Sequence, residues 1–177
     1  YGIMGIGAIC HTINPRLFSD QLTYIFNHAE DRILFVDTTF VPVVEALACR
    51  LESVEKYIIL TDDAHMPPSS LTNVVSYETW LAQVDDDFQW LQFDENTAAG
   101  LCYTSGTTGN PKGVLYSHRS NVIHGLMVNQ PDVFGLTSMD VVLPIVPMFH
   151  ANAWALAYAA PAAGAGLVMP GPGMDGR

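Results

Sequence analysis

The chain has 177 residues, of which 18 are acidic and 7 are basic, so its formal net charge is −11. That charge argues against nucleic acid or an anionic membrane surface as a partner. The apolar fraction of 49% and the charged fraction of 14% exclude an intrinsically disordered chain. Its three cysteines are too few and too widely spaced for a disulfide framework, which favours reduced thiols and a cytoplasmic location.

The two ends of the sequence favour an interior piece of a longer protein. The first residue is Tyr1 rather than a start methionine, and the closing residues PGPGMDGR complete no regular element. The stretch 141–174 contains no charged residue. Prolines interrupt this stretch, and its second half is mostly alanine and glycine, so we expect no transmembrane segment.

The first third of the chain alternates helical and strand patterns. A first helix is predicted after Ser19 as its N-cap, and residues 33–36 then form a short apolar run typical of a buried strand. Thr38 or Thr39 is predicted to cap a second helix, and residues 57–60 form another buried strand. The predicted helix faces are Leu22, Ile25, Phe26 and Ala29 in the first helix, and Val41, Val44, Ala48 and Leu51 in the second. Strands that are apolar on both faces and separated by a helix predict an α/β fold with a parallel-rich sheet that helices cover.

The remainder continues the same alternation. Residues 61–73 are polar and predicted as a loop, and Ser76 begins a short helix. The acidic runs 85–87 and 94–95 are interpreted as solvated surface rather than a metal site. The later elements are predicted as strands at 98–103, 114–116, 141–146 and 166–169, with helices running from Ser117 toward Gln130 and from Ala151 to Ala160.

The segment 103–113, which reads YTSGTTGNPKG, carries the most specific chemistry. After its tyrosine it has four hydroxyl side chains, three glycines and one lysine, with no carboxylate. Glycines let backbone N–H groups approach an anion closely, hydroxyls add donors, and Lys112 supplies a cation, so the segment predicts a phosphate-binding loop. It is not a Walker-type loop, because Pro111 precedes Lys112 and Gly113 follows it. The alternative is a hairpin whose glycine and hydroxyl residues only form turns.

This segment resembles the signature of the adenylate-forming (AMP-binding) enzymes, which include acyl-CoA synthetases, luciferases and peptide-synthetase adenylation domains. Two further regions resemble medium- and long-chain fatty acyl-CoA synthetases (fatty-acid–CoA ligases): HTINPRL at 11–17 with YIFNHAED at 24–31, and PMFHANAW at 147–154. The resemblance covers the whole chain in the expected order. It implies that residues 1–177 are part of the large amino-terminal domain of such an enzyme, truncated at both ends, with the carboxy-terminal domain absent.

The resemblance implies an ATP-dependent ligase that works in two steps. A fatty acid attacks the α-phosphorus of ATP to give an acyl-adenylate and pyrophosphate, and coenzyme A then displaces AMP to form the thioester. Lys112 and His150 would be the catalytic residues, and Thr104 would be one ligand of Mg²⁺. The residues that would hold the phosphates are Thr104, Ser105, Gly106, Thr107, Thr108, Gly109 and Lys112.

The second motif is expected to bind the acid. The resemblance implies that His150 lies near the carboxylate and that Trp154, four residues later on the same helix face, borders the acyl tunnel. The small residues Ala151, Ala153 and Ala155 leave room for an alkyl chain, which favours a medium- to long-chain fatty acid. The alternative for His150 and Trp154 is an ordinary packing role.

Several expectations concern the parent protein. The fragment alone is expected to be inactive, because the second Mg²⁺ ligand and the adenylation lysine of the family are missing from it. A homodimer and a peripheral membrane association are left open. Two alternative functions are also left open: activation of another carboxylic acid, as in aryl-acid or luciferase-like enzymes, and a non-catalytic nucleotide-binding module.

Overall fold

The computed structural model describes residues 1–104, 109–169 and 171. These residues form two compact units. Unit 1 contains residues 1–13, 90–104 and the described residues from 112 onward, and unit 2 contains residues 14–89 with the described residues 109–111. Both units combine helices with strands, which confirms the predicted α/β class.

Unit 2 is built on a three-stranded parallel sheet of order β2-β3-β4. Its strands are β2 (Ile33–Val36), β3 (Lys56–Ile59) and β4 (Val74–Ser76), and its helices are α2 (Ser19–Ala29), α3 (Val41–Leu47) and α4 (Tyr77–Leu81). Short 3₁₀ turns lie at Thr38–Phe40, Ala48–Arg50 and Asp63–His65. The helical period places Leu22, Ile25 and Phe26 of α2 on one buried face, as the sequence predicts.

The core of unit 2 consists of large apolar side chains. Ile58 and Ile59 in the central strand are 0% exposed. The other buried apolar residues of unit 2 are Leu22, Ile25, Phe26, Leu34, Val36, Val41, Val44, Leu47, Leu51, Tyr57 and Leu71. This core holds the sheet against helices of the same unit and contains none of the predicted site residues.

Unit 1 is built on the sheet β1-β5-β6 and the parallel pair β7-β8. Its strands are β1 (Cys10–His11), β5 (Ala98–Thr104), β6 (Lys112–Ser117), β7 (Val141–Val142) and β8 (Gly166–Leu167). Its helices are α1 (Gly2–Gly5), α5 (His118–Val128), α6 (Ala151–Trp154) and α7 (Leu156–Ala163). Strand β5 is central, since it pairs in parallel with β1 and antiparallel with β6.

The core of unit 1 consists mostly of alanine. Its buried apolar residues are Ala99, Cys102, Ala153, Ala155, Leu156, Ala159, Ala160 and Ala165. Helices α5 and α7 approach closely at Gly125, where an added Cβ would lie 3.9 Å from the backbone nitrogen of Ala159. Small side chains at this contact let the two helix backbones come together.

Helix starts were predicted with mixed success. Ser117 caps α5 as predicted, and Ser76, which was predicted to begin a helix, is the cap of α4; each accepts a hydrogen bond from the backbone N–H three residues later. Ser19 was wrong as a cap, because α2 already begins at Ser19 and the extended residue before it is Phe18. The prediction of Thr38 or Thr39 as a cap was also wrong. The carboxylate of Asp37, one residue earlier, accepts the Thr39 N–H at 2.9 Å and begins a 3₁₀ turn instead.

Three predictions near the carboxyl end also need correction. The strand predicted at 141–146 ends at Val142, and Pro144 cannot donate the backbone hydrogen bond that a longer strand needs. The strand predicted at 166–169 ends at Leu167. The helix predicted at 151–160 is divided at Ala155, where α6 ends and α7 begins. No helix in the described residues combines the length and apolarity needed to cross a membrane.

Candidate functional site

The predicted phosphate-binding segment begins and ends on paired strands. Thr104 is the last residue of β5 and Lys112 is the first residue of β6, and the two are direct partners in the antiparallel register. The Thr104 hydroxyl donates to the Lys112 carbonyl oxygen at 3.4 Å. The pairing therefore holds Thr104 and Lys112, which flank the loop, next to each other. Ser105, Gly106, Thr107 and Thr108 lie outside the described residues.

The strand pair is packed tightly just before the loop. Tyr103 is opposite Gly113 in the register, and a Cβ at Gly113 would lie 3.1 Å from Cζ of the tyrosine ring. The His11 ring lies on β1, and its centroid is 5.2 Å from that of Tyr103. Gly113 therefore provides the space that the aromatic ring occupies, which explains why a glycine follows the lysine.

The Lys112 side chain is available to an anion. It is exposed, and it makes no ion pair with the residues that the structure describes. Gly109 is also exposed, with open space where a Cβ would lie. Because the formal net charge of the chain is −11, Lys112 supplies local attraction where the overall field repels phosphate.

The described residues contain little else that could bind a metal. No group of three or more His, Cys, Asp or Glu side chains in this part of the chain could hold a metal ion. The exposed hydroxyl of Thr104 is an oxygen donor of the kind that Mg²⁺ accepts, since this ion binds through few protein oxygens and keeps several waters. The Thr104 hydroxyl could therefore supply one of the oxygen ligands of Mg²⁺.

The second predicted group has an unexpected backbone. Residues 151–155, named here the left-handed turn, all have positive φ angles, between 45° at Ala151 and 65° at Ala155. His150 lies just before the turn with extended backbone angles, φ −116° and ψ 108°. The prediction that His150 and Trp154 share one face of a regular right-handed helix is therefore wrong. Both side chains are exposed, Trp154 at 54%, and neither is hydrogen-bonded to Thr104 or Lys112 in the described structure.

Two residues that received no role from the sequence connect the motifs. Asn152 is buried in the left-handed turn, and its Nδ2 donates to the Met148 carbonyl oxygen at 3.5 Å. The Thr12 hydroxyl donates to the same oxygen at 3.0 Å and lies 3.5 Å from Sγ of Cys102 on β5. The tolerance of asparagine for positive φ is the sequence signal that could have pointed to Asn152.

Two half-buried titratable groups of unit 1, Cys10 and Tyr158, favour their neutral forms. Loss of solvent raises the pKa of the Cys10 thiol, an effect that the chain's amino terminus opposes and Cys102 reinforces. Burial is also the main cause that raises the pKa of Tyr158 to about 12. All three cysteines are free thiols, and Cys102 is buried. The raised pKa values keep the Cys10 thiol and the Tyr158 hydroxyl neutral at pH 7.

Two surface hollows in the structure contain none of the predicted site residues. One has a volume of about 270 Å³ and lies in unit 2, and the other has a volume of about 400 Å³ and lies against α5 in unit 1. The candidate site is therefore described by its strand pair and its left-handed turn, and neither of these two hollows belongs to it.

Comparison with known proteins shows the family of the chain. A family model described as "AMP-binding enzyme" matches residues 1–176, and the chain belongs to that family. The chain is 47% identical over 176 residues to a medium-chain-fatty-acid–CoA ligase of Ectopseudomonas oleovorans, covering 99% of this chain and 32% of the relative. It is 50% identical over 177 residues to a 3-methylmercaptopropionyl-CoA ligase of Ruegeria lacuscaerulensis, covering 100% of this chain and 33% of the relative.

A solved structure supports the fold. The chain superposes on a long-chain-fatty-acid–CoA ligase from Archaeoglobus fulgidus with a TM-score of 0.76 and 25% identity, covering 91% of this chain and 30% of that chain. The chain thus spans about a third of the length of the proteins it matches. The expected membership of the adenylate-forming family is confirmed.

Proposed function

We propose that the parent protein is an ATP-dependent acyl-CoA synthetase that activates a medium- to long-chain fatty acid and transfers it to coenzyme A. Pairing of Thr104 with Lys112 at the mouth of a glycine- and hydroxyl-rich loop is the observation that carries this proposal. It brings a hydroxyl and a cation together on a rigid strand pair. That arrangement suits the charge that develops when pyrophosphate leaves the α-phosphorus.

The role of each group follows from its position. Lys112 would stabilise negative charge on the departing phosphates, and the described Gly109 with Ser105, Gly106, Thr107 and Thr108 would bind the β- and γ-phosphates. Thr104 would contribute one oxygen to Mg²⁺, which neutralises phosphate charge when it is bound. We place the second ligand of this ion and the adenylation lysine outside residues 1–177, in the rest of the amino-terminal domain and in a carboxy-terminal domain.

The acid is proposed to lie beside the motif at 147–154. His150 would face the carboxylate, and Ala151 and Trp154 would border the alkyl chain. The exposure of His150 and Trp154 supports this assignment, because both side chains remain available to a ligand. Names of similar proteins include both fatty acids and 3-methylmercaptopropionate as acids, so a short acid with an apolar end is the second candidate.

The location of the parent is proposed to be the cytoplasm. All three cysteines are free thiols, which is typical of proteins in a reducing compartment.

Substitution of Lys112 tests the proposed chemistry in the full-length protein. We expect Lys112→Ala to lower fatty-acid-dependent pyrophosphate release by about 10²–10³-fold, the usual effect of removing one group that stabilises transition-state charge. Lys56→Ala is the matched control, because Lys56 is the other of the two lysines in the chain and begins β3 in unit 2. Equal rates for wild type and Lys112→Ala would contradict the assignment.

The acid and the acceptor are tested separately in the same assay. Fatty acids of increasing length, 3-methylmercaptopropionate and an aryl acid are compared for pyrophosphate release, each with and without coenzyme A. Release with fatty acids and AMP formation that requires coenzyme A support the proposal. ATP binding without pyrophosphate release for any acid would favour the non-catalytic nucleotide-binding module.

A further inference from the structure

The left-handed turn is unusual because none of its five residues is glycine. For an L-residue, positive φ brings Cβ close to the following carbonyl oxygen, and asparagine tolerates this conformation better than alanine does. Three of the five residues are alanine and one is tryptophan. Alanine strongly favours the right-handed helix. Contacts outside the backbone must therefore hold the turn in its left-handed form.

Asn152 supplies such a contact from inside the turn. Its side chain is buried at 7% exposure, and Asn152 and Ser76 are the buried polar residues in the described chain. The Nδ2 group donates to the Met148 carbonyl at 3.5 Å. The side chain thus forms a hydrogen bond with Met148, which precedes the turn by three residues.

The Met148 carbonyl also connects the turn to the strand that leads into the phosphate-binding segment. Thr12 donates its hydroxyl to this oxygen at 3.0 Å, while its backbone N–H donates to the Leu101 carbonyl of β5 at 3.3 Å. Two donors, Thr12 and Asn152, therefore share one acceptor. Through Thr12, the position of the turn is set relative to β5.

The Asn152 side chain lies beside Gly100 of β5. A Cβ at Gly100, in β5, would lie 3.7 Å from Oδ1 of Asn152. The Asn152 amide therefore packs directly over the strand. Its Oδ1 lies on the side of β5 and its Nδ2 donates to the Met148 carbonyl oxygen.

We propose that Asn152 is a positioning residue for acid binding: it keeps residues 151–155 left-handed and thereby fixes the direction of the exposed Trp154 side chain. This inference rests on the proposed function, in which Trp154 borders the alkyl chain of the acid. Loss of the Asn152 amide lets the alanine-rich turn relax toward the right-handed form, and Trp154 then points elsewhere. ATP binding depends on Thr104 and Lys112 and is unaffected.

The kinetic test uses Asn152→Ala in the full-length protein. We expect the KM for a long-chain acid to rise about tenfold, in the range that a small misplacement of a binding group produces. The KM for ATP is expected to stay within twofold of wild type, and the preference for long over short acids is expected to decrease. An unchanged acid KM and chain-length preference would overturn the proposal.

The structural test needs no turnover. The protein is labelled with 5-fluorotryptophan, and the ¹⁹F resonance that disappears in Trp154→Phe is assigned to Trp154. Asn152→Ala is expected to move this resonance, whereas Asn152→Gly is expected to move it less, because glycine adopts positive φ without strain. Equal shifts in the two variants, or none in either, would overturn the role assigned to the turn.

Asn129→Ala is the matched control. The Asn129 Nδ2 donates to the Ala159 carbonyl in α7 at 2.8 Å, so this variant removes the same kind of bond from outside the turn. It is expected to lower stability while the Trp154 resonance and the acid KM stay unchanged.

If Asn152→Ala does not fold, Thr12→Val is used in its place. Thr12→Val removes the other donor to the Met148 carbonyl oxygen, and an unmoved Trp154 resonance in this variant would overturn the proposal.

The two tests separate this inference from the proposed function. A wild-type protein that releases no pyrophosphate with any acid refutes the proposed function, while the fluorine shift still reports on the turn. An active wild type with an unmoved resonance in Asn152→Ala refutes the positioning role alone.

Discussion

Unit 2 and unit 1 bury side chains of different sizes. The core of unit 2 contains isoleucine, leucine, valine and phenylalanine around a parallel sheet, whereas unit 1 buries mainly alanine. Burial of a large aliphatic side chain contributes roughly 1.5–3 kcal/mol, while alanine contributes far less. The stability of unit 2 therefore comes from its own apolar core, and the candidate site belongs to the unit with the smaller apolar contribution.

The largest expected effect is the removal of a large core residue from unit 2. Ile58→Ala is expected to lower the free energy of unfolding by about 3–4 kcal/mol, because the residue is fully buried and leaves a cavity. The matched variant in unit 1 is Leu115→Ala, at a position that is 58% exposed, with an expected change within about 0.5 kcal/mol. Urea unfolding of both variants measures the difference, and equal losses would show that the two units do not differ in this way.

An intermediate effect is expected when a side chain in unit 1 is enlarged. Ala159→Leu is expected to lower the free energy of unfolding by about 1–3 kcal/mol, because Ala159 is 0% exposed beside Gly125 and the added atoms have no space. Ala162→Leu on the exposed side of the same helix is the control, with an expected change below about 0.5 kcal/mol. Thermal unfolding followed by circular dichroism compares the two, and a stable Ala159→Leu protein would argue against a tight contact.

The smallest effect concerns alkaline pH. The pKa of Tyr158, in α7 of unit 1, is raised to about 12 mainly by burial, above the ordinary value of about 10. A folded-state pKa above the unfolded value means that the folded chain holds its proton longer, so stability is lost as pH rises from about 10 to about 12. Tyr158→Phe removes this contribution, and the loss of unfolding free energy between pH 9 and pH 11 should become smaller. An identical pH profile for the variant would contradict the assignment.

The regular elements around the loop could be predicted because they depend on local patterns. Apolar runs identified β2, β3 and β5, and Ser117 as a possible cap identified the start of α5. Strand β1 was not predicted, because two residues carry too little pattern and its existence depends on pairing with β5. The ends of β7 and β8 were predicted too late for the same reason.

The candidate site also has one part that local sequence predicts and one part that it does not. The order of residues in the segment 103–113 predicts a phosphate-binding loop, and the structure shows the paired strands on which the segment begins and ends, with Thr104 opposite Lys112. The left-handed turn could not be predicted, because alanine-rich sequence favours a right-handed helix. A left-handed conformation costs about 1–2 kcal/mol per residue, and the compensating contacts come from Thr12 and β5, far away in sequence.

The close approach of α5 and α7 also limits how this part of the chain can diverge during evolution. A Cβ at Gly125 would already make van der Waals contact with the Ala159 backbone, 3.9 Å from its nitrogen, so any larger side chain at this position would meet backbone, which cannot shrink to make room. Substitutions that drift neutrally through the aliphatic core of unit 2, by exchanging one branched residue for another of similar volume, have no counterpart here. Descendants of this sequence are expected to change the outward residues of both helices while keeping the two small ones.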